Sequence, residues 1–100
     1  MAVISDASKF LVELLGTFFF VSVILNTLTL TDSTTGPISV AVALLAAIYF
    51  GGKISGGHFN PAVSLSMYFK KVISLNIFMG YVIFQIIGAI LAVILNNYLY

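Results

Sequence analysis

The sequence of 100 residues contains no cysteine and no arginine, and only 7% of its residues are charged. Without cysteine there is no disulfide framework, no thiolate metal site and no nucleophilic thiol. A soluble domain carries about 25% charged residues, so the composition excludes a water-exposed globule. The net charge is +1, which is not the electrostatic footprint of a nucleic-acid-binding protein. No nucleic-acid partner is therefore expected.

Apolar residues make up 61% of the chain, and its mean hydropathy is +1.18. Charges and helix breakers divide it into four pieces, at about residues 8–30, 37–54, 55–69 and 73–98. A helix that crosses a bilayer needs about 20 apolar residues, and the first, second and fourth pieces meet that need. The pattern predicts an all-α membrane protein with three transmembrane helices in one domain, with no room for a separate catalytic domain.

The third piece is too short to cross a membrane. Residues 60–69 rise about 15 Å as a helix, which is half of a hydrocarbon core about 30 Å thick. The preceding SGGHF (residues 55–59) is too rich in glycine for a helix, and no charge lies between Lys53 and Lys70. Either this is a cytoplasmic loop with a short surface helix, or it is a re-entrant loop followed by a half-helix. The missing charges favour the re-entrant form, in which protein or water satisfies the loop backbone.

The lysines predict how the chain is oriented. Lys9 precedes the first helix, and Lys53, Lys70 and Lys71 flank the third piece. The connection TDSTTGP (residues 31–37) contains an aspartate and no lysine. Because lysines are enriched in cytoplasmic loops, the N-terminus and the third piece are expected on the cytoplasmic side of the cell membrane. TDSTTGP and the C-terminus are expected outside.

The triplet Asn60-Pro61-Ala62 is the most informative motif. Asparagine is a strong N-cap, and proline suits the first helical position because its missing N–H costs nothing there. The small Ala62 lets another surface approach the helix start. The triplet therefore predicts a helix that begins inside the membrane and directs about half a positive charge at the membrane centre.

The loop before the triplet offers complementary acceptors. The carbonyl groups of residues 56–59 could form a ladder for a polar solute, with the Asn60 amide donating to it. Neutral molecules that donate and accept hydrogen bonds can pass such a line, whereas a cation is repelled. At ~4 Å and an effective dielectric of ~20, half a charge costs a monovalent cation roughly 2 kcal/mol. Two opposed helix tips would roughly double that cost.

Three segments resemble the aquaporin, or major intrinsic protein, family in that family's order. SGGHFNPAVS (residues 55–64) is similar to the family's first signature loop, and most of all to that of bacterial-type water channels. ELLGT (residues 13–17) resembles its first-helix motif, and GYVIFQIIGA (residues 80–89) resembles its third helix. The resemblance covers nearly all of the chain. It implies an aquaporin-like half-barrel of three transmembrane helices plus one re-entrant half-helix.

The resemblance also implies site residues. Those along the solute path are Asn60, Pro61, Ala62, Gly56, Gly57, His58 and Val40. Glu13 and Gln85 stand at the family's loop-supporting positions, where a buried glutamate holds the loop through backbone amides. Val40 falls at the outer constriction, where water-selective members carry an aromatic residue or histidine. Valine there leaves room for a wider opening that admits small uncharged solutes.

Three of these residues also have plainer interpretations. Glu13 could pair with Lys9 one turn earlier, although intramembrane carboxylates are usually functional. Gln85 could simply hydrogen-bond between helices. His58 could be a catalytic base or metal ligand, but no second histidine, cysteine or nearby carboxylate completes such a site. A structural hydrogen bond in the loop is preferred for His58 over pH gating.

The expected function is a passive channel subunit for water, extending to small uncharged solutes such as glycerol, with no cofactor, no metal and no reaction. The family has two tandem halves, and the chain resembles the first, so a second half must complete the pore. It could come from a longer protein, from a separate chain, or from an antiparallel homodimer, which the one-sided lysines disfavour. The resemblance also implies a tetramer in the lipid bilayer. The rival hypothesis is a non-conducting half that binds and modulates full-length channels.

Overall fold

The computed structural model describes residues 3–30 and 35–100. These residues form the helices α1 (Asp6–Leu30), α2 (Thr35–Ser55), α3 (Pro61–Phe69) and α4 (Leu75–Leu99). No strand occurs in the described part of the chain, so the predicted all-α class is confirmed. Residues 31–34 of the connection expected to be external lie outside the described residues. The stretch Asp6–Leu28, α2 and α4 are each long and apolar enough to cross a membrane.

Three helix starts differ from the predicted bounds by two residues, each for a local reason. α1 begins at Asp6 rather than 8, because the Ser5 hydroxyl accepts a hydrogen bond from an amide of its first turn. α2 begins at Thr35 rather than 37, because Pro37 is tolerated in a first turn, where no intrahelical N–H bond is lost. α4 begins at Leu75 rather than 73 because Ser74 caps it. The Ser74 hydroxyl accepts a hydrogen bond from the Ile77 amide at 3.3 Å, which satisfies one of the free amides of the first turn.

α1 is the central helix of the fold. It packs against α2 and against α4, while the short α3 packs on α4. Gly88 of α4 lies so close to α1 that a Cβ there would be 2.4 Å from the Leu14 carbonyl oxygen. Ala43 and Ala47 of α2 and Ala92 of α4 are also buried. Small residues at helix contacts provide the close van der Waals packing that holds helices together in lipid.

The outward faces of the three long helices are apolar. Leu11, Leu15 and Phe19 of α1 and Ile83 and Ile90 of α4 are exposed. The longest dimension of the molecule is 42 Å, which is close to the 40–45 Å of a bilayer with its headgroup regions. The fold thus turns apolar side chains outward and buries its polar side chains between the helices.

Candidate functional site

α3 begins beside the middle of two long helices. The cavity at its start measures about 280 Å³ and is lined by Thr17, Phe20, Val21, Phe59, Asn60, Pro61, Gln85, Ile86 and Ala89. The α1 and α4 residues in this set lie within one turn of the midpoints of their helices. We call this space the tip cavity. α3 then runs back toward the start of α4, where Tyr68 stacks on Phe78 with ring centroids 5.4 Å apart. Residues 56–74 therefore enter and leave at the same end of the molecule.

Asn60 caps α3 with its side-chain oxygen. Its backbone is extended, and its Oδ1 accepts a hydrogen bond from the Ala62 amide at 2.8 Å. Pro61 occupies the first helical position, as the motif predicted. Because the cap engages the oxygen and the residue is exposed, the Nδ2 amide group remains available as a donor at the tip.

Residues 56–59 direct their N–H groups into the protein. The Gly56 amide bonds the last turn of α2, and the Gly57 amide donates to the Ser55 hydroxyl at 3.1 Å. The amides of His58 and Phe59 donate to a carboxylate on α1. The carbonyl groups of residues 56–59, by contrast, accept no hydrogen bond from the described part of the chain. The loop therefore has its donors satisfied and its acceptors free.

The loop achieves this with left-handed backbone at three of its four residues. The φ angles are +92° at Gly56, +68° at Gly57 and +54° at Phe59. Glycine adopts positive φ readily because it has no Cβ. A bulky residue such as phenylalanine adopts it at a cost and persists there only when its surroundings hold it. Contacts of the loop with α1, α2 and α4 must therefore fix this conformation.

Glu13 is the principal anchor of the loop. Its side chain is fully buried at 0% exposure. Its Oε2 accepts from the His58 amide at 3.1 Å and the Ser55 hydroxyl at 2.7 Å. Its Oε1 accepts from the Phe59 amide and the Gln85 Nε2, both at 2.8 Å. Four donors match the acceptor sites of one carboxylate, and such charge-assisted hydrogen bonds are roughly twice as strong as neutral ones.

Gln85 extends the anchor to α3. Besides Glu13, its Nε2 donates to the Ser64 hydroxyl at 2.9 Å. Both side-chain N–H bonds are then used, and its Oε1 has no partner among the described residues. Gln85 therefore joins α4 to both α1 and α3. The two residues that it bonds, Glu13 and Ser64, also form hydrogen bonds with the loop.

The His58 side chain is held by polar and aromatic neighbours. Its Nδ1 lies 2.8 Å from the Ser64 hydroxyl oxygen. Because Gln85 already donates to that oxygen, we assign the hydroxyl proton to the bond with Nδ1, which leaves the ring proton on Nε2. Burial lowers the pKa of His58 from its usual 6.5, opposed by the Glu13 carboxylate, so the imidazole is neutral at pH 7. The Tyr81 ring packs edge-on against the imidazole, with centroids 5.0 Å apart.

Two features weighed in the sequence lie away from this cluster. Lys9 does not pair with Glu13, since its Nζ lies 4.0 Å from an oxygen of Asp6 instead. Val40 is half-buried on α2 and does not line the tip cavity. It is about 22 Å from Ser55 along the helix, at 1.5 Å per residue.

Three members of the cluster were not predicted: Ser55, Ser64 and Tyr81. The Tyr81 hydroxyl donates to the Ser55 carbonyl. Tyr81 precedes Gln85 by four residues, so both share one face of α4. The four-residue spacing from Gln85, which was predicted to support the loop, is the sequence feature that could have identified Tyr81. The two serines end the SGGHFNPAVS motif and could have been found as its terminal polar residues.

Comparison with known proteins gives a consistent match. Residues 1–100 match the family described as Major intrinsic protein. The chain is 42% identical over 86 residues to glycerol uptake facilitator protein-like 6 of Lactiplantibacillus plantarum, covering 84% of this chain and 40% of that protein. It is 35% identical over 91 residues to aquaporin PIP2-7 of Arabidopsis thaliana, covering 81% and 32%. It is 34% identical over 91 residues to aquaporin NIP1-1 of Zea mays, covering 84% and 32%. No solved structure matches significantly.

The chain thus spans 40% or less of the length of these relatives. Their similarity extends over more than four-fifths of the chain, and the family match covers residues 1–100. The predicted resemblance is confirmed. With three helices long enough to cross a bilayer and a family match over its whole length, the chain is a membrane protein that belongs to the major intrinsic protein family.

Proposed function

We propose that the chain forms the first half of a passive channel that conducts water and small uncharged solutes such as glycerol. The channel conducts once a second half completes the pore, and it uses no cofactor and catalyses no reaction. Relatives named as aquaporins and as a glycerol uptake facilitator support this class of solute.

One observation carries the proposal: the loop and the tip offer complementary hydrogen-bonding groups in one place. The carbonyl groups of residues 56–59 are free acceptors, and the Asn60 Nδ2 is a free donor directly after them. A water molecule or an alcohol both donates and accepts, so it exchanges its solvent hydrogen bonds for these. Apolar molecules form no hydrogen bonds with these groups, so the arrangement favours small polar solutes.

The position of the tip accounts for the exclusion of ions. If α1 and α4 cross the bilayer, the start of α3 lies near the midplane, because it is level with the middle of both helices. The helix directs about half a positive charge there. This costs a monovalent cation roughly 2 kcal/mol at ~4 Å and an effective dielectric of ~20. A second, opposed tip in the completed pore would roughly double that cost.

The lysines and the free carbonyl groups support a proposal for orientation and assembly. Lys9 lies in the first turn of α1, and the other three lysines lie near the end where residues 56–74 enter and leave. That end is therefore cytoplasmic by the positive-inside rule, as is the N-terminus, in the cell membrane. The free carbonyl groups need water or protein around them at membrane depth. We infer that a second half of opposite topology covers the tip cavity and that completed channels associate as tetramers.

Osmotic shrinkage of proteoliposomes tests the proposal. Vesicles would carry the chain alone, or the chain with the C-terminal half of the Lactiplantibacillus plantarum relative. We expect shrinkage faster than in empty vesicles only when both halves are present. Asn60→Ala should abolish the gain because it removes the cap and the donor, whereas Asn97→Ala, at an exposed asparagine near the end of α4, should not.

Two results would overturn the proposal. The first is shrinkage no faster than in empty vesicles although both halves are inserted and bound to each other. The second is a chain that never conducts but lowers the permeability of an intact relative reconstituted with it, which would identify a non-conducting modulator instead.

A further inference from the structure

The Phe59 ring fills a notch between α1 and α2. Phe59 is only 2% exposed. The notch exists because Gly16 and Gly51 have no side chains. A Cβ built on Gly16 would lie 2.0 Å from the Phe59 Cε1, and one built on Gly51 would lie 3.2 Å from its Cζ. The Phe59 ring therefore occupies space that side chains at the two glycine positions would otherwise fill.

The notch lies next to the hydrogen bonds that hold the loop backbone. Gly16 follows Glu13 by three residues on α1, and Gly51 precedes Ser55 by four residues on α2. Each glycine is therefore one turn from a residue of the Glu13 cluster, on the same side of its helix. Phe59 is thus attached at two points: its amide donates to Glu13 at 2.8 Å, and its ring occupies the notch one turn away.

Two attachments are needed because the backbone of Phe59 is strained. Its φ of +54° is unfavourable for a bulky residue and persists only where the surroundings hold it. Asn60 is the next residue, so any relaxation of φ at Phe59 swings the tip of α3. A hydrogen bond alone fixes one atom and leaves the chain free to turn about it. The seated ring removes that freedom.

Phe59 lines two cavities. One is an apolar groove of about 350 Å³ between α1 and α2, whose lining includes Gly16, Gly51 and Phe59. The other is the tip cavity of about 280 Å³, which Phe59 also lines. Shortening the side chain at position 59 would therefore open space beside Gly16 and Gly51, in the groove.

We propose that Phe59 is a positioning residue: its ring, seated against Gly16 and Gly51, fixes where the Asn60 tip stands in the pore. The inference rests on the proposed channel function for its consequence. Whether the seated ring holds the loop in place can be measured on the chain alone. We call this fit of the Phe59 ring against Gly16 and Gly51 the lock.

The first measurement is amide hydrogen exchange at Phe59 in the reconstituted chain. Gly16→Ala forces the ring out of the notch, since the new Cβ meets three ring atoms within 2.6 Å. We expect exchange at least about tenfold faster, as overpacking typically costs a factor of that size or more. Gly52→Ala is the matched control on α2, because its Cβ would meet only Ile48, at an ordinary 3.6 Å. It should leave exchange within about twofold of the unaltered chain.

The second measurement is rescue. Phe59→Leu leaves a void and should also speed exchange by about tenfold. In combination with Gly16→Ala, the shorter side chain makes room for the new methyl group. The double variant should therefore exchange more slowly than either single variant, a reversal that a loss of general stability would not produce. Phe59→Leu adds no volume, so it remains informative if Gly16→Ala fails to insert.

The third measurement links the lock to permeation. In vesicles that contain both halves, osmotic shrinkage should fall about tenfold with Gly16→Ala and recover in the double variant. If the unaltered pair does not conduct, the channel proposal fails, while the exchange data still decide the lock. The lock is overturned if Gly16→Ala exchanges like Gly52→Ala, or if the double variant is no slower than the singles. The positioning role is overturned if exchange changes but permeability in a conducting pair does not.

Discussion

The two ends of the helix bundle are held together by different interactions. At the loop end, where residues 56–74 lie, six buried polar or aromatic side chains bond one another and the loop: Glu13, Ser55, His58, Ser64, Tyr81 and Gln85. At the far end, where α1 ends and α2 begins, a long side-chain hydrogen bond connects α4 to α1. It joins the Asn96 Nδ2 to the Asn26 Oδ1 at 3.4 Å.

The difference follows from the backbone. At the far end the described residues belong to α1, α2 and α4, so most of their N–H and C=O groups bond within each helix. At the loop end the helical ladder is interrupted between Ser55 and Pro61, and the freed N–H groups need partners inside the molecule. Polar side chains gather where the ladder is broken, and apolar packing suffices elsewhere. Substitutions at the two ends should therefore differ in cost.

The largest effect is expected at Glu13. Glu13→Gln keeps the shape but replaces one acceptor oxygen by an NH₂ group that faces donors. At least two of its four donors then lose their acceptor. Hydrogen bonds to charged groups contribute about 1.5–3 kcal/mol each, so the free energy of unfolding should fall by about 3 kcal/mol or more. Equilibrium unfolding in mixed micelles, followed by loss of helical circular dichroism, measures it.

The control for this prediction lies on the same helix. Asp6 is an acidic residue of the first turn of α1, with a side chain 66% exposed. Asp6→Asn should change the unfolding free energy by no more than about 0.5 kcal/mol. Equal losses for the two variants would mean that the carboxylate of Glu13 is not what holds the loop end.

The second effect is expected at Gly88, on the border between the two ends. A Cβ at this position would lie 2.4 Å from the Leu14 carbonyl oxygen and 3.1 Å from the Phe18 amide nitrogen. Both are backbone atoms of α1, so the helices must separate to admit a methyl group. Gly88→Ala should cost about 3 kcal/mol, at the upper end of overpacking effects, measured by the same unfolding titration.

Gly80→Ala on the same helix provides the contrast. The three atoms nearest to its Cβ would be ring atoms of Phe10, the closest at 2.3 Å. A side chain can turn aside where a backbone cannot, so the cost should be about 1 kcal/mol. A cost for Gly80→Ala equal to that for Gly88→Ala would show that α1 and α4 adjust as a whole.

A smaller effect is expected at Ser64, which is fully buried at 0% exposure. Ser64→Ala removes the acceptor of the Gln85 Nε2 and the hydrogen-bond partner of the His58 Nδ1. Leaving buried polar groups unpaired costs about 1–3 kcal/mol, and we expect about 2 kcal/mol. Ser66→Ala, on the exposed side of α3, should cost less than about 0.5 kcal/mol. A Ser64→Ala cost as small as that of Ser66→Ala would remove Ser64 from the support of the loop.

The sequence predicted the helices more completely than the hydrogen bonds that hold the loop. The long apolar pieces and the Asn60 cap could be predicted because length and capping are local properties. Glu13 and Gln85 were found through motifs, but the hydrogen bonds from Gln85 to Ser64 and from Tyr81 to Ser55 were not. Those contacts depend on how α1, α3 and α4 meet in space, which no local pattern encodes.

The fit between Phe59 and its notch was beyond sequence patterns for the same reason. In the sequence Gly16 stood out only as part of the ELLGT motif, and the signature loop gave Phe59 significance only for its carbonyl group. The partner of a small residue becomes evident only when the distance from its missing side chain can be measured. Here that partner is a ring from a loop more than 40 positions away in the chain.

The smallest effect is expected at the far end. Asn96→Leu removes the hydrogen bond to Asn26, whose 3.4 Å length is beyond the usual range. Interhelical hydrogen bonds in membranes average about 0.6 kcal/mol, so the unfolding free energy should fall by that amount or less. Asn97→Leu, at the exposed neighbouring position, is the control that measures how an asparagine-to-leucine change alone affects the unfolding free energy. A loss at Asn96 as large as that for Ser64→Ala would mean that polar contacts hold the far end too, although the described backbone there is helical. The interrupted helical ladder would then fail to explain why the polar side chains gather around the loop.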